Sequence, residues 1–445
     1  MSKNKQPDLM DRIVSLCKRR GFVYPSSEIY GGLISCWDYG PLGAELKRNL
    51  KTHWWDAMTN RRDDVEGLDA AILMHPQVWH TSGHVTEFND PMVDCKTCKA
   101  RFRADKLEES RCPKRPSKSP LTCGGELTEV KQFNLMFKTF MGPVEDTSST
   151  IYLRPETAQG IYLNFLNVKN SSRQKIPFGI AQIGKAFRNE ITPGNFIFRT
   201  REFEQMEMQY FIDPAEDEKW FEYWRRERWA WYESLGVNVS KLRWSEHGED
   251  ELAHYAKAAY DIEYEFPFGW QELEGVHNRT DFDLSRHMEA TGKDLRYADE
   301  RYKEKFIPYI IETSAGCDRT ILTLLVDGYD EVEVKGETRV FLRLSPKIAP
   351  IKAAVFPLVK KDGMPEFAEK VYNELKKRFK VFYDVSGAVG RRYARMDEAG
   401  TPFCVTVDGQ TLQDETMTVR DRDTMEQTRM KTAELIEFLT DKVSG

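Results

Sequence analysis

The chain has 445 residues, 40% of them hydrophobic and 31% charged, and carries a formal net charge of −6. This length exceeds what one compact core holds, so we expect two or three domains. The negative charge argues against a surface uniformly adapted to nucleic acid, and no apolar stretch approaches the roughly 20 residues that a membrane helix needs. The first residues lack the apolar centre of a secretory signal, so we predict a cytoplasmic protein with no membrane partner.

The first three-quarters of the chain predict a mixture of helices and antiparallel strands. Residues 41–62 predict a helix that begins near a proline. Apolar residues alternate from 151–162 to 210–214, which predicts antiparallel strands. Residues 215–235 predict a helix anchored in the core by tryptophans, and residues 260–266 alternate as a half-buried strand does.

The last hundred residues have a different pattern. After the segment 345–350, strand and helix patterns alternate three times, which predicts a separate α/β domain. We therefore expect a catalytic domain over 1–344 and a second domain over 345–445. Residues 92–130 are rich in Lys, Pro, Ser and Cys, and we predict that they are an insertion in the first domain.

The strongest chemical pattern is a predicted hairpin. One arm is Phe187–Glu190, the turn falls at Thr192–Asn195, and the other arm is Phe198–Phe203. Arg188 at a strand end can grip the α-phosphate of a nucleotide and the carboxylate that attacks it, because a guanidinium offers a fixed fork of donors. Glu190 shares its strand face and can accept a hydrogen bond from adenine, on which the last aromatic residue of the hairpin can stack. The alternative is ordinary ion pairing across a surface hairpin.

A second pattern favours a nucleotide over ion pairing. Residues 312–319 have the sequence Glu-Thr-Ser-Ala-Gly-Cys-Asp-Arg and precede an apolar segment that predicts a helix. The small residues let the backbone approach a ligand closely. Arg319 at the helix start is placed to lie against one face of adenine or to grip the γ-phosphate.

These two patterns resemble motifs 2 and 3 of the class II aminoacyl-tRNA synthetases. Residues 154–160 (Arg-Pro-Glu-Thr-Ala-Gln-Gly) and 419–426 (Val-Arg-Asp-Arg-Asp-Thr-Met-Glu) narrow the resemblance to the dimeric, α2-type glycyl-tRNA synthetases. Residues 68–83 are similar to the motif 1 region of that family, with Pro76 as the proline of the dimer interface. The resemblance covers nearly the whole chain.

The resemblance implies an α+β fold. The catalytic domain is expected to contain the class II synthetase antiparallel β-sheet of six strands, flanked by helices. The C-terminal part is expected to be an α/β anticodon-binding domain with a mixed sheet. The resemblance further implies a homodimer that uses ATP and Mg²⁺, activates glycine as glycyl-adenylate and transfers it to the 3' end of tRNA(Gly).

The resemblance also assigns site residues. It implies ATP contacts from Arg188, Asn189, Glu190, Phe198, Arg199, Thr200, Arg201, Glu202, Phe203, Glu272, Leu273, Gly316, Cys317, Asp318 and Arg319. It implies glycine contacts from Arg103, Glu156, Phe203, Glu204, Gln205, Met206, Glu207, Glu312, Thr313, Ser314, Ala315 and Gly316. Arg188 and Arg319 are the expected catalytic residues, and Glu272 is the expected neighbour of magnesium. Thr313 and Cys317 depart from the residues usual in the family, but neither removes a charged contact.

Selection of glycine must be steric, because glycine has no side chain to recognise. Glu156, Glu207 and Glu312 are expected to hold the ammonium group while packing closes the space that a β-carbon needs. Several buried carboxylates are unfavourable together without a cation, so their convergence favours an ammonium site over a structural role. No smaller amino acid competes, and we expect no editing domain.

Four cysteines lie within the predicted insertion, at Cys95, Cys98, Cys112 and Cys123. A Cys-x-x-Cys pair with two further thiolates can supply four tetrahedral ligands to a structural zinc ion. However, ten residues separate the members of the second pair, where zinc knuckles commonly have two. Both a zinc site and reduced thiols in an irregular insertion stay open at this point.

Two other functions fit parts of the pattern. A non-catalytic accessory subunit of the same fold would not need Arg188, Glu190, Arg199 and Arg319, all of which are present. A small-molecule ligase would not need the C-terminal domain, in which residues 390–393 (Gly-Arg-Arg-Tyr) offer phosphate contacts and a stacking ring. The alternative for that tetrapeptide is an ordinary helix start.

Overall fold

The computed structural model describes residues 8–191, 194–248, 257–334 and 336–444. Its α-helices are α1 Leu9–Arg20, α2 Pro41–Trp55, α3 Pro76–Thr81, α4 Ala158–Ser171, α5 Asp217–Ser234, α6 Phe282–Thr291, α7 Cys317–Gly328, α8 Met364–Lys376, α9 Val389–Glu398, α10 Thr411–Asp414 and α11 Thr432–Ser444. Its strands are β1 Val23–Pro25, β2 Trp37–Tyr39, β3 Val65–Gly67, β4 Asn89–Asp94, β5 Arg101–Arg103, β6 Lys131–Asn134, β7 Lys138–Phe140, β8 Thr150–Tyr152, β9 Phe178–Phe187, β10 Glu202–Ile212, β11 Leu242–Glu246, β12 Ala258–Phe266, β13 Gly269–Thr280, β14 Tyr309–Gly316, β15 Tyr329–Val334, β16 Glu337–Leu342, β17 Ala353–Pro357, β18 Val381–Tyr383, β19 Phe403–Val407, β20 Thr416–Asp421 and β21 Gln427–Lys431.

The largest sheet has seven strands in the order β11-β12-β13-β14-β10-β9-β3. The first six are antiparallel, as predicted, and β3 adds a parallel edge beside β9. The strands predicted between 151 and 214 are interrupted by α4, which the apolar alternation did not reveal. Among the helices in the described ranges, none is both long and apolar enough to cross a membrane.

One face of this sheet packs against α1, α2, α5 and α7 and forms the largest hydrophobic core. Met206 and Met208 of β10 point into this core. Trp224 and Trp231 of α5 are buried in it and Trp220 packs against its edge, so their predicted role as anchors is confirmed. Because strand residues alternate between faces, the neighbours of these methionines point to the other side of the sheet.

The opposite face of the sheet is apolar at one end and polar at the other. At the apolar end Phe178, Phe211 and Ile310 lie beneath α4 and α6. Further along the same faces of β10 and β14, Gln209 lies opposite Glu312, and polar side chains continue toward the start of β10. This polar end is where the predicted site residues converge.

The C-terminal part forms a five-stranded sheet in the order β18-β17-β19-β20-β21. The pairs of β17 with β18 and β19 are parallel, whereas β19, β20 and β21 are antiparallel, so the predicted mixed sheet is confirmed. Its core includes residues of α8 and α11. Arg422 is buried and donates a hydrogen bond to the carbonyl of Leu344, which joins this sheet to the chain that precedes it.

The tetrapeptide 390–393 lies in the first turns of α9 and corrects a prediction. Arg392 is only 3% exposed and donates to the carbonyl oxygens of Pro357 and Asp384. The hydroxyl of Tyr393 is 2.6 Å from that of Thr406. The predicted phosphate contact is therefore wrong for Arg392, because its side chain holds the domain together, whereas the stacking role of the Tyr393 ring stays a prediction.

The predicted insertion includes β5 and the end of β4, which form a small sheet with β6 directly after it. Its four cysteines lie near one another: the thiol of Cys95 neighbours that of Cys98, and Cys112 neighbours Cys98 and Cys123. Even so, in the ranges that the structure describes, no group of three or more His, Cys, Asp or Glu side chains is arranged to hold a metal ion. The zinc prediction is therefore not supported, and the cysteines are free thiols in the structure.

Candidate active site

The polar end of the sheet lines a pocket that contains most of the predicted charged residues. Its lining includes Glu156, Arg188, Glu190, Phe198, Arg199, Thr200, Phe203, Glu204, Gln205, Glu207, Glu272, Glu312, Ser314, Gly316, Asp318 and Arg319. Arg188 and Arg319 come from segments about 130 residues apart and meet in this one pocket. Ordinary ion pairing across a hairpin does not account for that convergence.

The side chain of Arg188, at the end of β9, is held by a backbone carbonyl and by two aromatic rings. Its Nε donates to the carbonyl of Pro155 at 3.0 Å. Its guanidinium carbon lies 5.2 Å from the ring centre of Phe203 and 5.3 Å from that of Phe88. Such cation–π contacts fix the plane of the guanidinium while leaving its other donors free to bind a ligand. Phe88 is a site residue that the sequence patterns did not indicate.

Arg319 lies in the first turn of α7, as predicted. Its Nη1 is 3.0 Å from a carboxylate oxygen of Glu272, and its Nε donates to the carbonyl of Phe198 at 3.3 Å. The guanidinium carbon stands 4.6 Å from the ring centre of Phe198. The side chain therefore presents a flat, cationic surface to the same pocket that Arg188 lines.

Asp318 ties the start of α7 to β10. One carboxylate oxygen accepts the backbone N–H of Glu204 at 2.8 Å. The other accepts Lys47 Nζ at 2.8 Å and the hydroxyl of Tyr39. The carboxylate of Glu204 is in turn paired with Lys47 and Lys51. Asp318 and Glu204 were both predicted as substrate contacts. Their carboxylates instead bind protein groups and so position the start of α7 and the start of β10.

Three glutamates gather at the deep end of the pocket. Glu312 accepts from Gln209 at 2.7 Å and from Arg279 at 3.1 Å. Glu156 lies 3.2 Å from His84 Nε2. Glu207 accepts from Gln209 at 2.8 Å and from the hydroxyl of Thr157. Glu156 also accepts from Gln159, and Glu312 also interacts with His277.

The glutamates differ in protonation, because their neighbours differ. Burial acts to raise the pKa of Glu156, but His84 and Arg279 lower it to about 2. Burial also opposes ionisation of Glu312, yet Arg279 and the hydrogen bond from His277 hold its pKa well below the usual range. For Glu207, burial and the charges of Glu312 and Glu156 raise the pKa well above its usual value. The surroundings of Glu156 and Glu312 therefore favour the ionised form, whereas those of Glu207 favour the protonated form.

Several predicted contacts have side chains that point away from the pocket. Met206, Leu273, Ala315 and Cys317 are buried in the core on the other face, and Thr313 is fully buried as well. The resemblance assigned continuous ranges, whereas only alternate strand residues share a face. For these five positions only the backbone can face a ligand.

Four other residues that were predicted to contact a ligand do not line the pocket and bind other protein groups instead. Arg103 pairs with Asp90 at 2.9 Å and with an aspartate two residues on. Arg201 donates to the carbonyls of Glu190 and Ile34. The remaining two are Glu202, which is paired with Lys185, and Asn189, whose N–H donates to the carbonyl of Leu135. Of the predicted turn, Thr192 and Pro193 lie outside the described residues.

Arg279, His277 and Gln209 are the polar residues of the deep pocket that the sequence patterns missed. Arg279 forms two hydrogen bonds with Asp283, at 2.8 and 3.1 Å, besides its bond to Glu312. The sequence did contain one indication of these site residues, namely a histidine and an arginine two residues apart in a strand that crosses the core. A buried arginine must find carboxylates, and these lie on neighbouring elements.

The comparisons with known proteins agree with this geometry. Residues 139–327 match the family described as the tRNA synthetase class II core domain (G, H, P, S and T), and residues 352–442 match the anticodon binding domain. Together with the polar end of an antiparallel sheet and its two arginines, these matches define a class II aminoacyl-tRNA synthetase.

Full-length relatives specify the family further. The glycine–tRNA ligase of Treponema denticola is 61% identical over 442 residues, which cover 98% of this chain and 97% of that relative. The glycine–tRNA ligases of Chlorobaculum tepidum and Clostridium acetobutylicum are 53% and 52% identical, and the matches cover 98% and 99% of this chain and 100% of each relative. The chain therefore belongs to the glycine–tRNA ligase family.

Proposed function

We propose that this protein activates glycine with ATP and transfers it to tRNA(Gly). The observation that carries the proposal is the convergence of Arg188 and Arg319 on one pocket whose deep end holds three glutamates. The arginines suit a polyphosphate and the glutamates suit an ammonium group. A non-catalytic accessory subunit would need neither set of charges, and the family match extends over the whole chain.

The arginine end of the pocket fits ATP. We assign the α-phosphate to Arg188, whose plane is fixed by Phe88 and Phe203. Arg319 is assigned to the adenine face or the γ-phosphate. Glu272 offers carboxylate oxygen, which magnesium prefers, and one of its oxygens is paired with Arg319. Magnesium, when bound, neutralises the charge of the departing pyrophosphate.

The glutamate end fits glycine. The ionised Glu156 and Glu312 attract the ammonium group, and this leaves the glycine carboxylate directed toward Arg188. The carboxylate is already ionised, so its attack on the α-phosphorus needs no protein base, and catalysis rests on positioning and charge neutralisation. The closely packed side chains around Gln205 and Ser314, which are hydrogen-bonded at 3.3 Å, are assigned the role of excluding a β-carbon.

Replacing Arg188 with alanine tests this assignment. We expect glycine-dependent ATP–pyrophosphate exchange to fall by roughly 100- to 1,000-fold, as when one donor to a developing charge is removed elsewhere. Arg226→Ala is the matched control, because Arg226 is an exposed arginine on α5. Exchange in Arg188→Ala within a few-fold of the control would refute the role of Arg188.

The transfer step and the assembly are part of the same proposal. The C-terminal sheet is assigned to the anticodon, and the boundary of its domain is placed at 345. A homodimer is proposed through residues 68–83, in which Pro76 begins α3. The molar mass in solution, measured by light scattering, distinguishes one chain of 51.8 kDa from two.

A further inference from the structure

His277 lies at the deep end of the pocket, between two carboxylates. It is on β13, directly opposite Glu312 on β14. Its Nδ1 is 2.8 Å from Oε1 of Glu312, and its Nε2 is 3.8 Å from Oδ1 of Asp261 on β12. The other oxygen of Asp261 lies 2.8 Å from Nε2 of His247. One imidazole thus stands between a carboxylate of the glycine pocket and a second carboxylate behind it.

The backbone leaves room for this imidazole. Gly275 precedes His277 by two residues on the same strand face. A Cβ atom at Gly275 would lie 2.8 Å from both Cε1 and Nε2 of His277, which is closer than real contacts allow. The ring therefore occupies the space that a side chain at 275 would fill, and its position between the carboxylates is fixed by the sheet.

The donors around Glu312 divide between its two oxygens. Oε2 accepts from Gln209 and Arg279. In the described parts of the chain, Oε1 has His277 as its hydrogen-bond partner. An oxygen with one donor keeps a lone pair for a ligand. His277 therefore controls the orientation of the one Glu312 oxygen that can still accept from an ammonium group.

Titratable and charged groups surround His277. They are Glu312 from β14, Asp261 from β12, the ring of His247, whose centre is 6.1 Å away, and Arg279 on β13, which shares the Glu312 carboxylate. Burial acts to lower the pKa of His277, but the carboxylates of Asp261 and Glu312 raise it to about 9. At neutral pH the imidazole is a cation between two anions, and both of its ring nitrogens carry protons, so Nδ1 donates to Glu312.

We propose that His277 is a positioning residue for glycine: kept cationic by the nearby Asp261 carboxylate, it orients the Glu312 carboxylate toward the ammonium group of the substrate. This inference rests on the proposed function. It assigns to Asp261, which does not line the pocket, a role in substrate affinity. It also separates the glycine end of the site from the ATP end, because, within the described ranges, the polar partners of His277 and Asp261 are Glu312, each other and His247, none of which is assigned to the nucleotide.

Steady-state exchange kinetics test this role. His277→Ala should raise the KM for glycine roughly 10- to 100-fold, the range expected for loss of a hydrogen bond to a charged group, while the KM for ATP stays within about twofold. His277→Gln keeps a donor without the charge and should recover part of the loss. An equal rise in both KM values, or a fall in the melting temperature that accounts for the loss, would overturn the proposal.

Asp261→Asn gives a second test, in a variant that leaves His277 in place. Without the Asp261 charge, the pKa of His277 should fall toward its ordinary value of about 6.5. The KM for glycine should then rise as the pH is raised from about 6 to 8, since the imidazole loses its charge, whereas the wild-type protein stays constant over that range. Glu265→Gln, an exposed carboxylate on the same strand, is the matched control.

The failures of the two proposals are distinguishable. Absence of glycine-dependent exchange in the wild-type protein contradicts the proposed function. Normal wild-type exchange, together with an unchanged glycine KM in His277→Ala and a flat pH profile in Asp261→Asn, contradicts only the positioning role of His277.

Discussion

The ion pair of Arg228 and Glu274 lies directly behind the site and gives a prediction about stability. Arg228 of α5 donates through Nε and Nη2 to the two oxygens of Glu274 at 2.5 and 3.1 Å, and the exposed fractions of the side chains are 2% and 0%. Arg228→Met leaves the Glu274 carboxylate in the core without a cation. We expect this change to lower the free energy of unfolding by about 3–5 kcal/mol.

The expected loss in the free energy of unfolding depends on the burial of the ion pair, so an exposed ion pair is the proper control. Arg243 and Glu263 are 2.6 Å apart, but the arginine side chain is 49% exposed. Arg243→Met should therefore lower the free energy of unfolding by at most about 1 kcal/mol. Replacing both Arg228 and Glu274 with methionine should recover most of the loss, because no charge then stays buried alone.

Urea unfolding followed by tryptophan fluorescence measures these differences. All ten tryptophans precede residue 345, so the signal reports the catalytic domain without a contribution from the C-terminal sheet. Midpoints and slopes are compared at one protein concentration, because assembly raises apparent stability. A loss for Arg228→Met no larger than that for Arg243→Met would refute the reasoning from burial.

Two further predictions concern the pocket. Phe88→Ala removes one of the two rings that hold Arg188 and should lower kcat for exchange by roughly 2- to 30-fold, the range for one cation–π contact, whereas Phe88→Tyr keeps the ring and should stay near the wild type. An unchanged kcat in Phe88→Ala would show that the second ring suffices. The pKa of Glu207 is raised well above its usual value whereas that of Glu156 is lowered, so the neutral isostere Glu207→Gln should weaken glycine binding less than Glu156→Gln, which removes the carboxylate that favours ionisation. Titration of glycine binding by calorimetry ranks the two variants, and the reverse order would contradict the assigned charges.

The sequence was sufficient for the fold class and for the two arginines of the site. Arg188 and Arg319 could be predicted because each lies in a short pattern whose spacing fits phosphate chemistry. The orientation of neighbouring residues was not predicted. Gln205 faces the pocket and Met206 faces the core, although the resemblance assigned both to glycine. A continuous motif does not show which of its residues share a strand face.

The deep pocket was harder to predict, because it depends on contacts between distant strands. Arg279 approaches Glu312 only after β13 and β14 are in register. Arg392 presents the converse case, since an arginine in a helix start was expected to bind phosphate and is instead buried against backbone carbonyls. Nothing in either local sequence distinguishes an arginine that binds a ligand from one that supports the fold.

An irregularity in β13 constrains how this strand can change. The register with β14 shifts between Asn278 and Thr280, so Arg279 is an additional residue in the pairing. Its side chain points to the same face as that of His277, because the two residues are two positions apart in the strand. Deleting Asn278 would place the arginine directly after His277 and turn it to the opposite face of the sheet. The glutamates would then lose their guanidinium partner, although all the charged residues of the pocket would still be present in the sequence. The length of β13 at this point is therefore as restricted as the identity of its residues. A strand from a homologous protein can replace β13 only if it keeps the extra residue.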